Sequence, residues 1–102
     1  MQTNMRIAES QLKGLLEAHP PTADLYVRVH GDHLILGRPE PIGPKGQLEN
    51  GDRVRLTLLV ASTYGLSVKR HTGRWERTPF AGTLEEMVDI LLGCMQHLVA
   101  PY

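Results

Sequence analysis

The chain has 102 residues, with 11 Lys and Arg against 11 Asp and Glu, and a formal net charge of zero. Hydrophobic content of 41% and charged content of 22% exclude global disorder and suit one α+β domain over residues 1–102. A neutral total gives no overall pull toward nucleic acid or membrane, so any electrostatic preference must lie in how the charges are distributed.

Cys94 is the only cysteine, which excludes an intrachain disulfide and suits a cytoplasmic, reducing setting. The opening MQTNMRIAES lacks the apolar run of a secretory signal. The longest apolar-rich stretch carries acids, so no membrane span is expected.

Asn4 is a reasonable cap for a first helix running to about Ala18. Met5, Ala8, Leu12, Leu15 and Leu16 form one stripe, the signature of a helix lying on a core. His19-Pro20-Pro21 ends it, because a residue before proline avoids helical geometry.

Asp24 to Gly37 reads as a hairpin. Leu25, Val27 and Val29 alternate with Tyr26, Arg28 and His30, and Gly31-Asp32 is a two-residue turn. That turn pairs His30 with His33, Val29 with Leu34 and Val27 with Leu36, so every apolar partner shares a face. Arg38 to Gly51 holds three prolines and three glycines and reads as an irregular loop.

Val54, Leu56, Leu58 and Val60 then alternate with Arg53, Arg55, Thr57 and Leu59. An odd-length reversal near Ser62 would set Val60 against Leu66 and Leu58 against Val68. A two-residue turn at Thr72-Gly73 would pair Lys69 with Glu76 on the outer face, and place Trp75 on the core face.

The last element is a helix from Thr83 to Val99, with Thr83 and Glu86 at capping-box spacing and Pro101 as its stop. Its apolar arc takes Leu84, Met87, Val88, Ile90, Leu91, Leu92, Cys94, Met95, Leu98 and Val99. The arc is about 200° wide, twice what a helix on a sheet needs. The surplus around Ile90, Leu92 and Val99 points to a homodimer interface. The order α-β-β-β-β-β-α predicts a two-layer sandwich: a mostly antiparallel five-stranded sheet with both helices on one face.

Sorting the sheet by face collects Arg28, His30, His33, Arg53, Arg55, Lys69, His71 and Arg74 on the side away from the helices, against the single acid Glu76. Such a surface focuses field toward an anionic partner. An acidic protein segment fits better than nucleic acid, because only Tyr26 offers a stacking ring there. The plain alternative is a solvated sheet face whose cations discourage edge pairing.

His30, His33 and His71 suggest a second alternative, a small enzyme or metal-dependent protein. Two imidazoles alone make a poor site, however, and no metal or cofactor is assigned. No G-x-S-x-G, Walker-type loop, C-x-x-C or H-E-x-x-H occurs, so the chain reads as a non-catalytic binding or adaptor protein. A structural subunit of a larger assembly is the third possibility.

Overall fold

The computed structural model describes residues 5–44 and 46–99, apart from the side chains of Ile42 and Val99. The expected cap at Asn4 and stop at Pro101 lie outside that range. Helix α1 (Met5–Glu17) is followed by a single 3-10 turn at Pro20–Thr22. Five strands come next: β1 (Tyr26–His30), β2 (His33–Ile42), β3 (Gln47–Val60), β4 (Thr63–Lys69) and β5 (Trp75–Gly82). Helices α2 (Leu84–Gly93) and α3 (Gln96–Val99) close the described chain. The strands form one antiparallel meander in the order β1-β2-β3-β4-β5.

The helices lie on one face, as the alternating strands require. Ala8, Leu12 and Leu16 of α1 and Leu84, Met87, Val88 and Leu91 of α2 are buried with Leu34, Leu36, Val54, Leu56, Tyr64 and Leu66 of the sheet. Burial of each large aliphatic side chain contributes about 1.5–3 kcal/mol. The Thr22 hydroxyl, fully buried, donates to Leu16 O at 2.7 Å and ties the 3-10 turn to the end of α1. Thr83 caps α2 as its spacing predicts: Glu86 N–H donates to Thr83 Oγ1, and Thr83 N–H donates to Glu86 Oε1.

The β1–β2 hairpin has the predicted register, including His30 opposite His33. Leu58 N–H donates to Asp32 O at 2.9 Å, which fixes the alternation along β2. Asp32, Leu34 and Leu36 bond toward β3, while His33 and Ile35 bond toward β1. Val27 and Val29 therefore turn their peptide groups away from the sheet. At the far edge β5 is interrupted: Pro79 has no N–H, and the Phe80 N–H donates to Thr78 Oγ1.

Four expectations change. Residues 38–51 are not an irregular loop. Arg38 pairs with Gly51, Pro39 with Asn50, Glu40 with Glu49 and Pro41 with Leu48, extending β2 and β3 into a two-stranded arm. Pro39 and Pro41 are tolerated because their nitrogens face the side where β1 has already ended. At ~3.3 Å per residue the 14 residues of β3 span about 46 Å, matching the long dimension of 47 Å.

The last helix breaks after Gly93, a poor helix former, and resumes at Gln96, whose side chain donates to Leu92 O at 2.6 Å. The break turns Cys94 out to solvent, while Ile90, Leu92 and Met95 pack against the chain's own core. The Val99 side chain lies outside the described residues.

The β3–β4 reversal is the two-residue Ala61-Ser62, followed by Thr63 opposite Val60. A bulge between Leu58 and Val60 restores the face parity, so Leu58 meets Tyr64 and Leu56 meets Leu66. Val60, expected beneath the helices, is 68% exposed.

The β4–β5 turn has three residues, His71-Thr72-Gly73, closed by Arg70 N–H to Arg74 O at 2.8 Å with Gly73 at φ +86°. That extra residue slides β5 by one place, so Lys69 faces Trp75, Val68 faces Glu76 and Ser67 faces Arg77. Trp75, expected on the core face, moves to the outer face, where Arg77 also lies. Glu76 leaves it and pairs with Arg70 at 2.8 Å.

Candidate functional site

Among the described residues no helix covers the outer face, yet Ile35 and Ser67 on it are each only 4% exposed. Their neighbours lie down over them. The register makes a row across all the strands, Arg28, Ile35, Arg55, Ser67 and Arg77, and a second row of His30, His33, Thr57, Gly65 and Ala81.

The cations of this face divide into two groups. On the β1 side, Asp52 is held by Arg28, with Nε to Oδ1 at 3.2 Å and Nη2 to Oδ2, and by the Tyr26 hydroxyl. Burial alone would raise the Asp52 pKa. The bonds from Arg28 and Tyr26, and the charges of Arg28 and Lys69, outweigh it and hold the carboxyl below its ordinary value. Arg28 in turn is kept protonated more firmly than usual, first by its bond to Asp52. Arg28 is thus a neutralised cation.

This triad depends on a bulge. Leu36 pairs with Val54 but Gly37 pairs with Asp52, leaving Arg53 as the extra residue of β3. The bulge brings Asp52 onto the outer face and sends Arg53 the other way, where its Nη1 donates to Leu98 O of α3 at 2.9 Å. Arg53 was expected on the outer face and is not there. Tyr26 reaches Asp52 by crossing Gly37, where a Cβ would stand 2.7 Å from the phenol oxygen and 2.1 Å from Gly51 O.

On the β5 side Arg55, Lys69 and Arg77 have no such partner among the described residues. Arg55 sits with its guanidinium carbon 4.9 Å from the Trp75 ring centroid, and Lys69 Nζ is 5.9 Å from the same ring. The Arg55 Nε is buried without a hydrogen-bond partner among the described residues. Arg77, exposed, lies across Ser67 from it.

Between them is a cleft of about 440 Å³, lined by His33, Arg55, Thr57, Leu59, Gly65, Ser67, Arg77 and Thr78 and closed by the Pro79–Ala81 segment. No carboxylate lines it. His33 Nδ1 is 2.8 Å from Thr57 Oγ1. Burial first, then the charge of Arg55 and the neighbouring His30, hold the His33 imidazole below its ordinary pKa of 6.5, against a weaker opposing pull from Asp32.

The remaining expected site residues lie apart from the cleft. His30 is exposed, its ring stacked 6.4 Å from that of His33. His71 lies in the β4–β5 turn and Arg74 directly after it, at the end of the sheet opposite the His30–His33 hairpin. His71 therefore cannot complete a metal site with the other two, and no group of three His, Cys, Asp or Glu side chains comes together among the described residues. A cleft of about 600 Å³ between α1 and α2, lined by Ile7, Leu15, Tyr64 and Leu84 among others, has Glu85 as its one charged lining residue among the described residues.

Asp52, Trp75 and Arg77 are the site residues that period-two reading does not place. The architecture is that of an α+β protein with one face of its sheet uncovered. No protein-family model, curated protein or solved structure matches the chain.

Proposed function

We propose that this chain is a non-catalytic binding protein whose open sheet face engages an acidic segment of a protein partner. One observation carries the reading: Arg55 and Arg77 flank Ser67 with no carboxylate partner among the described residues, while Arg28 nearby is already matched by Asp52. Unmatched guanidiniums beside a partly desolvated floor attract an anion more strongly than solvated surface charges do. A nucleic-acid strand fits less well, because the rings available are Trp75, already faced by Arg55 and Lys69, and Tyr26, tied to Asp52. An exposed thiol at Cys94 suits a reducing compartment, in keeping with a cytoplasmic protein.

Trp75 is the only tryptophan and sits beside the cleft residue Arg55, so its emission reports occupancy. Titration with a glutamate-rich peptide should change that emission saturably, and added salt should weaken the binding. Arg77→Glu should abolish the response while leaving the thermal transition in place. Unchanged affinity in Arg77→Glu would sink the proposal.

A further inference from the structure

We infer that the cleft between Arg55 and Arg77 is a receptor for a phosphate monoester, and that a phosphorylated side chain is the group by which the acidic partner is anchored. This rests on the reading above and narrows it. The donor set favours phosphate over carboxylate. A carboxylate has two oxygens in one plane, and a single arginine fork meets both of them from one side. Arg55 and Arg77 stand two strands apart, so their backbones are separated by roughly 10 Å and their forks approach a common ligand from different sides. A phosphate monoester presents three terminal oxygens, enough to meet both forks and a hydroxyl between them.

That hydroxyl belongs to Ser67, directly between the two arginines in the cross-strand row. The other hydroxyls of the cleft are already engaged. Thr78 Oγ1 donates to Leu66 O at 2.8 Å and accepts from Phe80 N–H, and Thr57 is bonded to His33.

Small residues, Gly65 and Ala81, form the neighbouring row and line the cleft. Leu59 leans over Gly65, where a Cβ would lie 3.3 Å from Leu59 Cδ1. Stacking on Trp75 limits the freedom of Arg55 before the ligand arrives, which lowers the ordering cost of binding. The buried Arg55 Nε has no hydrogen-bond partner among the described residues, so no acceptor there competes with a ligand for this side chain.

The test is calorimetry, with a proton–nitrogen NMR titration, on the full chain. Four probes are used: inorganic phosphate, a capped Gly-Gly-phosphoserine-Gly-Gly peptide, and its serine and glutamate counterparts. The phosphopeptide should bind at least about tenfold more tightly than the glutamate peptide, since it adds a charge-assisted contact. It should shift the Ser67 amide and the Arg55 and Arg77 side-chain signals. Inorganic phosphate should perturb the same signals more weakly. Arg77→Gln should cost the phosphopeptide at least about tenfold, whereas Arg6→Gln on α1 should leave it unchanged.

Equal affinity for the phospho- and glutamate peptides, both weakened by Arg77→Gln, would overturn the phosphate inference and leave the acidic-segment reading standing. Binding of neither peptide would overturn both. Inorganic phosphate binding as tightly as the phosphopeptide would refute the anchoring role and reassign the cleft to a free phosphate compound. Phosphopeptide affinity indifferent to Arg77→Gln would remove the site.

Discussion

Gly37→Ala is a sharp test of the triad beneath the basic face. A methyl at this position would stand 2.1 Å from Gly51 O, a backbone atom that moves only if β2 and β3 part at the bulge. It would also stand 2.7 Å from the Tyr26 oxygen, which must leave Asp52. Overpacking typically costs about 1–3 kcal/mol, and the lost charge-assisted bond about 1.5–3, so the variant should lose roughly 2.5–6 kcal/mol in all. A domain of this size has only about 5–15 kcal/mol of stability, so the melting temperature should fall by at least about 10 °C. Gly14→Ala is the matched control. Gly14 is exposed in α1, with nothing within 4 Å of an added Cβ, so the same methyl there should stabilise by about 0.5–1 kcal/mol. Urea and thermal unfolding of both variants decide it. A loss under about 1 kcal/mol for Gly37→Ala would refute the close crossing of Tyr26 over Gly37.

Asp52 carries an acid dependence. Its folded pKa lies below the ordinary 3.8, so its contribution is fully present above that value and is lost as pH falls through the folded pKa. Asp52→Asn should flatten that part of a urea-midpoint profile taken from neutral to strongly acidic pH. At neutral pH it should cost about 1 kcal/mol, a figure discounted because Arg28 is partly solvated. His33 has a depressed folded pKa, so its share of stability is present above 6.5 and lost as pH falls through the folded value. A proton NMR titration of the imidazole should give a midpoint below 6.5. Thr83→Ala removes the cap of α2 and should cost about 1 kcal/mol in chemical denaturation. Ala61 holds φ at +49°, where a Cβ is strained, so Ala61→Gly should raise the thermal midpoint by the equivalent of up to about 1 kcal/mol.

What the amino-acid pattern makes legible follows from local chemistry. Apolar spacing locates the stripe of α1, the Thr83–Glu86 spacing locates the start of α2, and the Gly31-Asp32 turn fixes the β1–β2 register. Each depends on residues near one another in the chain. The basic face depends on single-residue insertions, and one insertion flips every side chain beyond it. The bulge at Arg53 exchanges that residue for Asp52, and the third turn residue exchanges Glu76 for Trp75 and Arg77. One of these has a readable signal: Gly73 is the third residue after Arg70, where a three-residue hairpin loop needs positive φ. The bulge has none within β3, because it is set by Tyr26 and Gly37 on other strands. The arm was hidden for a different reason. Proline reads as a strand breaker until one knows that its nitrogen faces an empty edge.

The two borders of the sheet are unlike, and this governs how copies of the molecule could join. Val27 and Val29 leave amides and carbonyls available at the β1 border, while Pro79 and the internally satisfied Phe80 amide close the β5 border to a continuous ladder. Head-to-tail stacking, which would need both borders, has no second half. Antiparallel union through β1 is related by a twofold axis and would use the same edge of each molecule. Such a pairing would terminate at two copies, whereas a fibre would need the β5 border as well.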